Sequence, residues 1–182
     1  MALRGVLFPS LVRLLGAFML AVPLAHAGVQ IDLIGYKTLL PNGWKQEVPE
    51  NNMRAAQFQV PGVAGKEGAE SVVFYFGKGQ GGTPEANILR WESNFAGAGG
   101  KPVKAVVRKA KAAGMPVTWA DMNGAYARGV GMGVAGAAKP DQTLLVGLVE
   151  TPKGNLTFQL YGPRQSVAVQ RKAFEAMING LK

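Results

Sequence analysis

Chemistry in this 182-residue chain has to come from carboxylates, lysines, serines and tyrosines, because it holds no cysteine and a single histidine, His26. That inventory excludes Cys–His catalysis and any thiolate or multi-imidazole metal site, and because His26 lies beside an expected signal-cleavage site, the mature chain is expected to hold no imidazole base for a serine either. Glycosidase-type hydrolysis needs two carboxyl groups facing each other across a cleft. Glu47, Glu50, Asp121 and Glu150 are the candidates, but no spacing pairs any two of them. A Ser–Lys dyad would draw on Ser71, Ser93 or Ser166, none of which sits in a nucleophile motif. Clustered Asp and Asn of the calcium-loop kind are absent, so neither a metal nor a cofactor is expected.

Three polar stretches are candidates for binding. The run Gly77-Lys78-Gly79-Gln80-Gly81-Gly82 leads into a helix start, where backbone N–H groups and Lys78 could hold an anion. It lacks the Gly-Lys-Ser/Thr ending of a P-loop and the acidic residue of a dinucleotide fingerprint. The plain alternative is a strand-to-helix loop. Asn87, Arg90 and Asn94 share one face of that helix at i, i+3 and i+7 spacing, as a binding strip or as an ordinary polar face. Lys101, Lys104, Arg108, Lys109 and Lys111 form the densest run of charge, with no acidic residue before Asp121. Such a run suits docking on an anionic lipid, polymer or acidic protein, or guards a sheet edge against aggregation. No aromatic residue is interleaved with the lysines, so nucleic acid is not expected.

The first 27 residues read as an export signal. Arg4 and Arg13 are its basic part, Leu14 to Leu24 its apolar part, and Ala25-His26-Ala27 a small-x-small cleavage site. The apolar stretch is too short to span a bilayer. Without cysteine there is no lipid anchor at the cut, so a periplasmic or secreted form is expected. Residues 28–182 then make one domain, and the formal charge falls from +9 to about +7. A cysteine-free exported domain must be held by its core alone.

Leu33–Leu40 reads as a first strand, followed by a Pro41-Asn42-Gly43 turn. Arg54–Val60 alternates with Ala56, Phe58 and Val60 on one face and Gln57 and Gln59 on the other. Ser71–Phe76 is apolar on both faces and belongs mid-sheet. Thr83, Pro84 and Glu85 open a helix whose stripe is Ile88, Trp91 and Phe95, ending at Gly97 to Gly100. Lys101–Ala113 fits a helix by spacing and a strand by its valines. Val117–Ala127 is a strand with a bulge at Asn123-Gly124, and Gly129–Gln142 a loop. Thr143–Glu150 and Leu156–Tyr161 form a hairpin. Ser166–Leu181 is a closing helix burying Phe174, Met177, Ile178 and Leu181. The expected class is α+β, a mostly antiparallel sheet of six to seven strands flanked by helices.

A set of segments carries a resemblance: Pro41-Asn42-Gly43-Trp44, Met53-Arg54-Ala55-Ala56, Val73-Phe74-Tyr75-Phe76-Gly77, Gly79-Gln80-Gly81-Gly82 and Asn87-Ile88-Leu89-Arg90-Trp91. With them go Gly124-Ala125-Tyr126, Val149-Glu150-Thr151-Pro152-Lys153-Gly154 and Leu160-Tyr161-Gly162-Pro163. Together they resemble an uncharacterised group of bacterial exported or lipoprotein-type domains, similar to the PsbP/Mog-like α/β/α sandwich. The resemblance implies that Lys101–Ala113 is a strand paired with Val117–Ala127. It also implies a protein-binding accessory rather than an enzyme, and it assigns no site residue. The expected function is a non-catalytic binding domain for an anionic envelope component or protein; the alternative is a carboxylate hydrolase of envelope polymers.

Overall fold

The structure, a computed structural model, describes residues 28–127 and 137–182. The expected signal segment and most of the expected Gly129–Gln142 loop lie outside these residues. The strands are β1 (Gln30–Leu33), β2 (Tyr36–Leu39), β3 (Lys45–Glu47), β4 (Arg54–Val60) and β5 (Ala69–Tyr75). Helix α1 (Pro84–Glu92) leads to β6 (Phe95–Ala96), β7 (Val106–Ala112) and β8 (Met115–Tyr126). The chain closes with β9 (Lys139–Thr151), β10 (Gly154–Pro163) and α2 (Arg164–Asn179).

Eight strands form one antiparallel sheet in the order β3-β4-β5-β10-β9-β8-β6, with β7 also paired to β8. That exceeds the six to seven strands expected, because β3 and β6 are too short to show a period. The expected first strand is instead a hairpin of β1 and β2, turned at Ile34 and Gly35, both at positive φ. Asp32 Oδ1 stabilises this turn by accepting from the Gly35 N–H at 2.7 Å. The β9–β10 hairpin turns on two residues, Pro152 and Lys153, since Thr151 already pairs with Gly154. The bulge on β8 falls between Gly124 and Tyr126, one residue beyond the expected place, and Lys139–Gln142 extends β9 rather than the loop. The stretch Val106–Ala112 is a strand on β8, as the resemblance implied, while Lys101–Ala105 precedes it outside the ladder.

The period of two divides the core. On one face Ala56, Val73, Phe158 and Trp119 share one row, continued by Gly147. Helix α2 and the β1–β2 hairpin cover this face, burying Phe174, Met177, Ile178 and Leu181. Thr38 Oγ1 donates to the Met177 carbonyl at 2.5 Å, and Lys37 exchanges backbone hydrogen bonds with Lys182. On the other face α1 packs Ile88 and Trp91 over Ala120, Met122, Leu144, Val146 and Leu148. Thr83 caps α1 by accepting from the Ala86 N–H at 3.2 Å. The helix ends at Glu92, so Phe95 leaves the expected stripe, joins β6 and stacks on Tyr126 at 4.4 Å.

At Gly147 α2 packs tightly on the sheet. A Cβ there would stand 2.6 Å from Ile178 Cδ1 and 3.1 Å from Trp119 Cζ3. Gly147→Ala is expected to lower stability by about 1–3 kcal/mol through overpacking, read from urea unfolding midpoints. Adding Ile178→Val, which removes the clashing methyl, should recover part of the loss. An alanine variant as stable as the parent would contradict this packing.

Candidate functional site

The glycine run joins β5 to α1. Gly81 has φ of 86°, and a Cβ on it would lie 2.9 Å from the Phe76 ring, so only glycine fits. Asn87 is buried beneath the loop. Its Nδ2 donates to the Gly81 carbonyl at 2.7 Å and to Thr83 O at 3.0 Å, and its Oδ1 accepts from Arg90 Nη2 at 2.8 Å. Asn87 and Arg90 thus form a clasp that holds the strand-to-helix connection. Asn94 lies past the helix end, where its carbonyl accepts from Ala127 N. Lys78, Gly79, Gln80 and Gly82 are exposed around the loop.

The structure spreads the basic run over three settings. Lys104 precedes β7 and binds Glu92 at the end of α1 at 2.8 Å. Glu92 also accepts from the Ala105 N–H at 2.9 Å. The Lys104 hydrogen bond first, and the Ala105 N–H second, hold the Glu92 carboxyl below its usual range. Arg108 lies on the α2 face, 5.1 Å over the Trp119 ring and 3.4 Å from Glu175. Lys109 and Lys111 alternate with it on the α1 face. Lys109 reaches Glu85 only at 3.8 Å with both side chains mostly exposed, a weak contact. Lys101 and Lys111 have no carboxylate within ion-pair distance among the described residues. Lys104 therefore sits on the α1 side, not with Arg108 as strand alternation alone places it.

A cleft of about 550 Å³ opens on the part of the second face that α1 leaves uncovered. Glu47 and Glu50 line it, joined by Glu67 and Glu70 from the start of β5 and the loop before it. Asp121 is on the α2 face, hydrogen-bonded to Arg171, and Glu150 is exposed elsewhere. Beside the cleft Arg54 is almost wholly buried, with Glu50 at 2.8 Å, Glu70 at 3.2 Å and Gln57 Oε1 at 2.6 Å. Arg54 Nε is buried without a hydrogen-bond partner among the described residues. Glu70 also accepts from the Tyr161 hydroxyl, Glu67 meets Lys139 at 3.2 Å, and Glu47 accepts from Gln57 at 3.2 Å. These carboxylates sit against cations, amides and a phenol rather than in an apolar pocket. Among the described residues Ser93 and Ser166 donate to backbone carbonyls, and Ser71 Oγ is buried without a hydrogen-bond partner. No group of three or more His, Cys, Asp or Glu could hold a metal among the described residues.

Sequence reasoning missed Arg54, Glu67, Glu70 and Tyr161. Only the paired Gln57 and Gln59 on the outer period of β4 pointed to a polar sheet face. Two outcomes follow from these contacts. Arg54→Ala should cost about 3 kcal/mol in urea unfolding, because it strips a buried cation from its acceptors, while Arg54→Met, which keeps the stem, should cost less. Glu92→Gln should destabilise at neutral pH. Because the folded-state carboxyl is held low, its contribution is present above the usual Glu range and lost as pH falls through the depressed value. Urea midpoints of variant and parent should therefore converge in acid; a gap independent of pH would contradict the role of Glu92.

No family model matches the chain, and no curated protein matches it. The fold is similar to the solution structure of cyanobacterial PsbP (CyanoP) from Synechocystis sp. PCC 6803. That likeness has a TM-score of 0.53 at 12% sequence identity and covers 86% of this chain and 95% of that one. A Pseudomonas aeruginosa protein of unknown function aligns with a TM-score of 0.48 at 15% identity, over 85% of this chain and 95% of its own. The α+β architecture, one large antiparallel sheet with a helix on each face, is thus a PsbP-like fold.

Proposed function

We propose that the protein is an exported, non-catalytic accessory domain that docks an anionic component of the cell envelope on its basic β7 edge. Export rests on the leader pattern of Met1–Ala27. The accessory role is supported by the PsbP-like fold, and no helix in the described residues is long and apolar enough to cross a membrane.

The observation that carries the docking surface is charge left over after internal pairing. Glu92 and Glu175 take up Lys104 and Arg108. Lys101, Lys109 and Lys111 remain on exposed backbone with at most one long contact to a carboxylate. A cation without an internal partner is free to pair with an anionic ligand and displace its counterions into solution, which makes binding salt-dependent. The carboxylate cleft offers a weaker case for hydrolysis, because its acids are already held by Arg54, Lys139, Gln57 and Tyr161.

The test is cosedimentation with poly-L-glutamate and with phosphatidylglycerol vesicles across a salt series. Wild-type protein should bind at least one of them, less so as salt rises. A Lys101→Glu/Lys109→Glu/Lys111→Glu variant with an unchanged circular dichroism spectrum should lose that binding. Lys78→Glu in the glycine run should keep it. Capture that survives the triple reversal would contradict this surface.

A further inference from the structure

Strand β7 lies outside β8 at one end of the sheet, beside the two-residue β6, and is the longest of the outermost strands. Among the described residues it is paired with β8 alone, and all seven of its residues are in the ladder. Its outer side therefore presents backbone donors and acceptors that no described strand satisfies. The other end, β3, has three residues.

Lysines on such an edge prevent pairing with a second copy, since like charges would meet across the strands. That role does not account for Val106 and Val107, which are 73% and 47% exposed on the same strand. β-branched residues beside unsatisfied backbone groups are what an incoming strand packs against. The charges are also one-sided. Register with β8 sets Val107 across from Ala120 and Lys109 across from Thr118, with Lys111 next on the same α1 face. On the α2 face Arg108 is occupied by Trp119 and Glu175, and Ala110 is uncharged.

We infer that β7 accepts an extended acidic segment of a partner protein as an added strand, its alternate carboxylates set against Lys109 and Lys111 on one face only. The inference rests on the reading of this edge as the docking surface and specifies what docks. An added strand keeps the two-residue period of the sheet, so an acidic residue at every second position matches, and carboxylates in a block do not. A lipid surface or a polymer of charges makes no use of that period. The same edge rejects a second copy of itself, which makes it selective for acidic strands.

The experiment uses the whole protein and two synthetic peptides of identical composition. In one, glutamate and threonine alternate; in the other the glutamates are in a block. Titration calorimetry gives affinity and hydrogen exchange gives protection of the 106–112 amides. The alternating peptide should bind at least about tenfold more tightly than the block peptide, one step of binding free energy on the logarithmic scale, and should slow exchange in 106–112. N-methylation of its alternate amides should remove both effects with the charge intact. Lys109→Gln/Lys111→Gln, milder than reversal and neutral to folding, should weaken binding without changing unfolding midpoints. Equal binding of both peptides with no protection in 106–112 would overturn strand addition while leaving charge docking in place. Binding to phosphatidylglycerol vesicles but to neither peptide would do the same and point to lipid. Binding to no anion at all would remove the docking surface as well.

Discussion

The close seat of α2 on the sheet at Gly147 organises the face that holds the larger core cluster. Only a missing side chain lets Ile178 and Trp119 approach the β9 backbone this closely. With the helix so placed, Phe174 meets Trp119 edge-on at 6.3 Å, and Thr38 and Lys37 tie the β1–β2 hairpin to the C-terminal end of the chain. Trp119 held flat in that position is also the surface over which Arg108 lies. Arg108 shares the α2 face with Trp119 because the two are paired in the ladder. The β7–β8 register thus places Arg108 over the core that α2 covers and Lys109 and Lys111 on the opposite face.

The second face follows a different rule. Helix α1 is short and covers only the apolar part of the sheet contributed by β8 and β9. Beyond it β4, β5 and β10 turn Gln57, Gln59, Glu70 and Tyr161 toward the cleft, and Arg54 gathers the acids around itself. A buried cation with two carboxylate acceptors is costly to break and geometrically specific. Its place here is to hold the β3–β4 connection against β5.

Much of this was legible in the residues where a single period operated. The alternation of Ala56, Phe58 and Val60, the double apolar faces of the β9 strand and the Phe174–Leu181 stripe each led to the element that formed. The β1–β2 turn was hidden because Ile34, a β-branched residue, occupies a left-handed conformation that sequence patterns reserve for glycine or asparagine. Phe95 mimicked a helical stripe by its spacing, yet it is held by Tyr126, thirty-one positions away, through a short strand that has no period of its own. The strand nature of Val106–Ala112 came from resemblance, since local spacing favoured a helix; pairing with β8 outweighed propensity. The cleft was invisible because its two acid groups, Glu47 with Glu50 and Glu67 with Glu70, are brought together by the pairing of β3, β4 and β5 and not by spacing along the chain.

The most direct test of the account is photocrosslinking in living cells with a photoreactive residue at Val107, compared with the same residue at Val169, which is exposed on α2. The account predicts crosslinks at position 107 that map to one extended acidic segment of an envelope protein and that vanish when Lys109 and Lys111 are neutralised. Equal yields from both positions, or crosslinks at 107 indifferent to those lysines, would contradict it.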